Sequence, residues 1–103
     1  LLPFVVDANI HALRLRAADS MTLARYDEIG RLLTGSPDAV ATDGLAWLTD
    51  VSKSLNVPTL SSMGIPKGAI PEIASTAAKA SSMKANPIEL TQPELEAILE
   101  AAW

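Results

Sequence analysis

Residues 85–103 read ANPIELTQPELEAILEAAW. Asn86-Pro87 signals a turn, because the residue before a proline is pushed out of the α region. Thr91 and Glu94 then make a capping box: the hydroxyl accepts from the Glu94 backbone, and the carboxylate reaches back to the Thr91 backbone. Leu95, Ile98, Leu99 and Ala102 follow at spacings of three and four, which is one buried stripe of a helix. The stretch is a turn, a cap and an amphipathic helix, and the same grammar recurs toward the N-terminus.

Residues 1–17 place Leu2, Val5, Val6, Asn9, Ile10 and Leu13 on one helical face, with Pro3 suited to a first turn. Residues 21–34 put Leu23, Tyr26, Ile29, Gly30 and Leu33 on a second face, and Gly35 is a natural helix stop. In SPDAVATDGLAWLTDVSKSLN (36–56), Ser36 reads as a cap, Pro37 as the first helical residue, and Asp38 as a charge favouring the positive helix end. Ala41, Leu45, Leu48 and Leu55 repeat at helical spacing, with Trp47 and Val51 beside them, until Asn56 and Pro58 end the run. VPTLSSMGIPKGAIP (57–71) is a turn-rich connector with one helical turn at 60–63. A further helix is predicted over about 70–83, with Ile73, Ala77 and Ala80 inward. No stretch alternates apolar and polar residues as a half-buried strand does. The expectation is an all-α array of about five helices over residues 1–103, a single helical domain or a fragment of one.

Composition narrows the function classes. The 103 residues are 49% hydrophobic and 19% charged, enough to bury a core. A net charge of −4, with the arginines and lysines interspersed, argues against a nucleic-acid binder and against an anionic membrane surface. With no cysteine and one histidine, thiolate catalysis and zinc–thiolate sites are excluded, and a self-contained transition-metal site lacks donors. No run approaches the roughly 20 apolar residues of a membrane span. The opening LLPFVV has neither a basic segment before it nor a small-residue cleavage site after it, so no signal peptide is read.

Four local features carry some chemical content, and each has a plainer reading that we prefer. His11 in NIHALRLRA reads as a helix-surface histidine, since one histidine does not fix a metal. Asp27 and Glu28 point about 100° apart on a helix and read as a solvated face rather than a carboxylate pair. MGIPKG (63–68) lacks P-loop spacing and reads as a turn. Trp47 and Trp103 read as core or interface aromatics. On these grounds catalytic, cofactor-binding and metal-binding residues are none.

Taken in order, four phrases resemble the iron-containing (group III) alcohol dehydrogenase family. LLPFVVDAN (1–9) is similar to the family's N-A-x-x-L-L-P-H-V-x-x-F-N helix, and LARYDEIGRLL (23–33) to A-x-R-Y-A-E-I-A-R-A-L-G. LNVPTLSSMGIPKGAIPEIASTA (55–77) is similar to L-G-I-P-x-x-L-x-E-L-G-V-P-x-x-D-L-P-x-L-A-E-x-A. NPIELTQPELEAILEAAW (86–103) is similar to N-P-R-P-L-T-x-E-D-V-x-x-L-L-x-A-A-W, an ending shared with maleylacetate reductases. The sequence departs from the pattern at Phe4, where many members have His, and at Ile88, in place of Arg. It departs again at Ala80 and Ser82, where many carry Asp and Cys.

The resemblance implies a longer parent with an N-terminal dinucleotide-binding domain and a helical C-terminal domain. Its cofactors would be NAD(P) and a divalent metal, often iron. It would transfer hydride to or from an alcohol, aldehyde or related substrate, or reduce a carbon–carbon double bond as maleylacetate reductases do. The family's ligands, one Asp and three His, would all lie upstream of Leu1, so this chain by itself is expected to be inactive and to hold no cofactor. The uncapped start without methionine fits the distal part of the helical domain. Ser82 and Met83 are the residues the resemblance puts at a substrate-pocket edge. A cytoplasmic location follows from the family, and a homodimer through exposed apolar helix faces, with the 1–13 helix docking across copies, is expected of helices shaped to pack against more protein. The alternative is a free-standing helical interaction or oligomerisation module.

Overall fold

Five α-helices form in the computed structural model, which describes residues 1–103: α1 (Leu2–Arg16), α2 (Met21–Thr34), α3 (Ala41–Ser54), α4 (Ile70–Ala78) and α5 (Gln92–Ala101). Short 3-10 turns lie at Lys67–Ala69 and Ser81–Ala85, and there are no strands. The all-α reading holds. The chain divides into two compact units, Leu2–Val57 and Pro58–Trp103, with Leu1 grouped with the second.

The first unit is built from α1, α2 and α3. Pro3 sits buried in the first turn of α1, where its missing N–H has no helical partner to lose. Asn9, Ile10, Ala12 and Leu13 are buried along this helix, whereas Leu2 is exposed. Asn9 is the one buried polar residue. Its Nδ2 donates to Tyr26 Oη at 3.2 Å, so the amide is satisfied while it ties α1 to α2. Ser20 caps α2 by accepting from Thr22 N. Gly35 ends it at φ 72°, a left-handed conformation that glycine adopts without a Cβ penalty. Ile29, expected inward, is 44% exposed, whereas Gly30, on the same predicted face, is buried against α3 as expected.

The third helix starts later than its sequence suggests. Ser36, Pro37 and Asp38 do not open it. They form a turn closed by Ala39 N donating to Ser36 O, and α3 begins at Ala41. Two carboxylates hold the later start: Asp43 Oδ2 accepts from Val40 N at 2.9 Å, and Asp27 Oδ1, from α2, accepts from Ala41 N at 2.8 Å. Each satisfies a backbone donor that the helix itself leaves unpaired. Asp27 is therefore a cap reaching from one helix to the next rather than part of a solvated face. Asp27→Ala is expected to cost about 1 kcal/mol, with Asp27→Asn losing less because it keeps the acceptor; chemical denaturation of the three proteins checks this.

Between these helices the backbones nearly touch. A Cβ on Gly30 would lie 2.4 Å from Val40 O, and one on Gly44 would lie 2.8 Å from Gly30 Cα. The pair of glycines sets the separation of α2 and α3. Leu55, assigned to the buried stripe of α3, is 71% exposed because the helix has already ended at Ser54. Asn56 follows at φ 50°, a left-handed stop that asparagine tolerates.

The second unit opens with the connector. Residues 60–64 form turns, and a 3-10 turn at Lys67–Ala69 leads directly into α4. Helix α4 stops at Ala78, short of its predicted end at 83. Ala80 is extended (ψ 139°), and Ser81–Ala85 winds as a 3-10 turn before Asn86, itself extended ahead of Pro87. The inward face is accordingly Ile70 and Ala74, with Ile73 and Ala77 half-buried and Ala80 exposed. In α5 the capping box forms as read: Glu94 N donates to Thr91 Oγ1, and Thr91 N donates to Glu94 Oε2 at 2.8 Å. Leu95, Ile98 and Ala102 are buried and Leu99 half-buried. Gln92 Nε2 donates to Pro71 O at 3.0 Å, which joins α5 to α4.

Trp103 fastens the connector to α5. Its Nε1 donates to Ile65 O at 2.8 Å, and Lys67 Nζ lies 5.4 Å from its ring centroid. Ser61 donates to Trp103 O through both N and Oγ, and Leu60 N donates to Ala102 O at 2.9 Å. Trp103→Ala removes the indole donor and the cation–π partner together. The expected result is faster amide hydrogen exchange across residues 60–67 with exchange in α2 unchanged, read by NMR or mass spectrometry.

Candidate functional site

The titratable residues do not converge. His11 is exposed on α1, and its Nδ1 lies 2.9 Å from Asp7 Oδ1 and 3.0 Å from Asp7 O, one turn back on the same helix. No group of three or more His, Asp or Glu side chains is placed to share a metal ion. The residues of this chain therefore do not fit a metal centre of their own. Glu28 is exposed, while Asp27 is committed to the start of α3. The MGIPKG stretch is no phosphate loop: it closes one turn at Gly64, which takes φ 86° with open space around it, and enters the 3-10 turn at Lys67. Trp47 is 39% exposed on α3.

One hollow is formed in the second unit, where α4 gives way to the 3-10 turn and the Asn86-Pro87 segment. It is about half open to solvent, with a volume of about 610 Å³. Lys79, Lys84 and Glu89 supply its charged lining, and Met83, Ile88 and Leu90 its apolar wall. The wall is held by its own loop: Asn86 Nδ2 donates to Ile88 O at 2.7 Å, and Asn86 N donates to Met83 O at 3.1 Å. Of the two residues carried over from the family, Met83 is half-buried and lines this hollow. Ser82 is exposed and does not line it. No helix of the chain is long and apolar enough to cross a membrane.

The family model described as "Fe-containing alcohol dehydrogenase family, C-terminal" matches residues 1–103. The chain belongs to this family. No match to a curated protein or to a solved structure accompanies it. As an iron-containing alcohol dehydrogenase segment, the chain shows five helices and no strand, in keeping with the helical C-terminal domain of that family.

Three features of the two units are not evident from the sequence. The Asp27 cap was invisible because its partner, Ala41, is fourteen positions away and offers only a backbone N–H. The Gly30–Gly44 approach is half legible, since Gly30 falls on the predicted face of α2 while nothing in the spacing marks Gly44. The hollow was missed because it depends on α4 ending at Ala78; a helix continued to 83 would have no such loop. The signal that was available is Asn86-Pro87, which forces extended backbone close behind the predicted helix end.

Proposed function

We propose that these residues serve as the distal helical part of an enzyme that moves hydride between NAD(P) and an alcohol, aldehyde or related substrate, with maleylacetate reduction as the finer variant. The observation that carries the reading is the family match along residues 1–103, supported by a helix order that follows the four family-like phrases. In such an enzyme a divalent metal, often iron, polarises the substrate oxygen and the nucleotide supplies the hydride. Neither group draws on a residue of this chain. Its contribution is mechanical: packed helices form part of the cleft wall, and Ser82 and Met83 stand at the pocket edge. The reading carries a cytoplasmic location with it.

The 103-residue chain alone is then expected to be inert. Incubated with ferrous ion, NADH or NADPH and an aldehyde, it should oxidise no nicotinamide and retain no stoichiometric metal after desalting. Stoichiometric binding of metal or nucleotide by the isolated chain would contradict the proposal.

A second reading, a free-standing helical module that pairs with its own copy, is favoured by one observation. Leu1, Leu2, Leu15, Met21, Leu32 and Leu55 are each more than half exposed, and apolar surface of this kind favours association. Sedimentation velocity at high micromolar concentration should then show a homodimer, and a strict monomer would overturn it.

A further inference from the structure

We propose that the outer face of α2 pairs two copies of this chain, with the two helices antiparallel across a two-fold axis at mid-helix. The inference rests on the homodimer reading above and names the face that makes it.

Position is the first argument. Met21, Ala24, Arg25, Glu28, Ile29 and Leu32 are all exposed, and at about 100° per residue they fall within about 70° of one direction on the helix. Gly30, buried against α3, lies on the opposite side. Met21, Arg25, Glu28 and Leu32 follow at alternating spacings of four and three, the seam spacing of paired helices. Met21 and Leu32 are 79% and 77% exposed, so the ends of the seam are the apolar parts that a second copy would cover.

Symmetry is the second argument. An isologous contact sets a surface against itself, so its pattern must read the same from both ends. An axis midway between residues 26 and 27 sets Met21 of one copy against Leu32 of the other, Ala24 against Ile29, and Arg25 against Glu28, each pair occurring twice. Small meets large at the flanks, and opposite charges meet at the centre. Neither Arg25 nor Glu28 has an ion-pair partner within the chain, so both charges are open to a match across the axis. The other helices fail this requirement. The same operation on α3, centred beside its exposed Trp47, sets Asp43 against Asp50, a like-charge contact. Helix α1 carries Arg14 and Arg16 in its last turn and no acidic residue in its first to meet them. Helices α4 and α5 expose no large apolar side chain.

The test follows sedimentation velocity of the chain and of two variants at exposed positions, Arg25→Glu and Glu28→Arg, at high micromolar concentration. The unaltered chain is expected to dimerise. Each variant sets like charges together twice per dimer, and should weaken the dimer by about tenfold or more while keeping its helical circular dichroism. Mixed in equal amounts, the two variants bring opposite charges to both contacts and should form a heterodimer of near-original affinity. Unaltered affinity in either single variant, or a mixture no tighter than the variants alone, would overturn this assignment and leave the homodimer reading standing. A strict monomer of the unaltered chain would overturn both. Misfolding of a variant cannot imitate the rescue, so the mixture decides the matter even where a single loss has another cause.

Discussion

Gly30→Ala should destabilise the first unit by about 2 kcal/mol, although the same change inside an isolated helix gains about 1 kcal/mol from helix propensity. The new Cβ would stand 2.4 Å from Val40 O, a backbone atom that no rotamer change removes from the way. Helices α2 and α3 must part. That movement also stretches the bond from Ala41 N to Asp27 Oδ1, now 2.8 Å. The cost therefore combines overpacking with a weakened cap. Gly68→Ala is the control, for nothing lies within 4 Å of its Cβ position and its φ is not positive. It should be neutral or gain a few tenths of a kcal/mol by restricting the unfolded chain. Thermal and denaturant unfolding of both variants tests the contrast. Equal stability of the two would mean that the α2–α3 separation is not set by these glycines.

Leu13→Ala is expected to cost about 2–5 kcal/mol, on a par with truncation of Ile10 in the same helix. Leu13 is 2% exposed and among the largest side chains that are fully buried. Removing most of it loses transfer free energy and leaves a cavity, because α1 is also pinned by the Asn9–Tyr26 bond and cannot collapse freely into the gap. Leu15→Ala makes the same chemical change two residues on, at a side chain 80% exposed, and should stay within about 0.5 kcal/mol. A large loss at Leu15 instead would mean that its exposed face is covered in solution.

Local signals were the legible ones. The capping box at Thr91 and Glu94 and the Gly35 stop each depend on residues within one helical turn, so spacing alone specifies them. The start of α3 was misread for the opposite reason. Ser36, Pro37 and Asp38 have the chemistry of a helix start. The start that forms is fixed by Asp43 from inside the helix and by Asp27 from another helix. Only the first of those lies within reach of a local pattern. Burial failed where an element ended early: Leu55 and Ala80 lie on their predicted stripes but beyond the ends of α3 and α4. Family membership was legible from four ordered phrases. The hollow was not, because its lysines are five positions apart and only the break at Ala78–Ala80 brings them round one loop.

On the proposed function, this helical array is a working part of an iron-containing alcohol dehydrogenase type of enzyme. The most direct measurement co-expresses this chain with a relative from the family that has been cut just before its counterpart of α1, and follows NAD(P)H oxidation with aldehydes and with maleylacetate. The account predicts that activity returns when the chain is supplied, and returns less with Leu13→Ala. If the relative's own missing segment restores activity while this chain restores none, the account is contradicted.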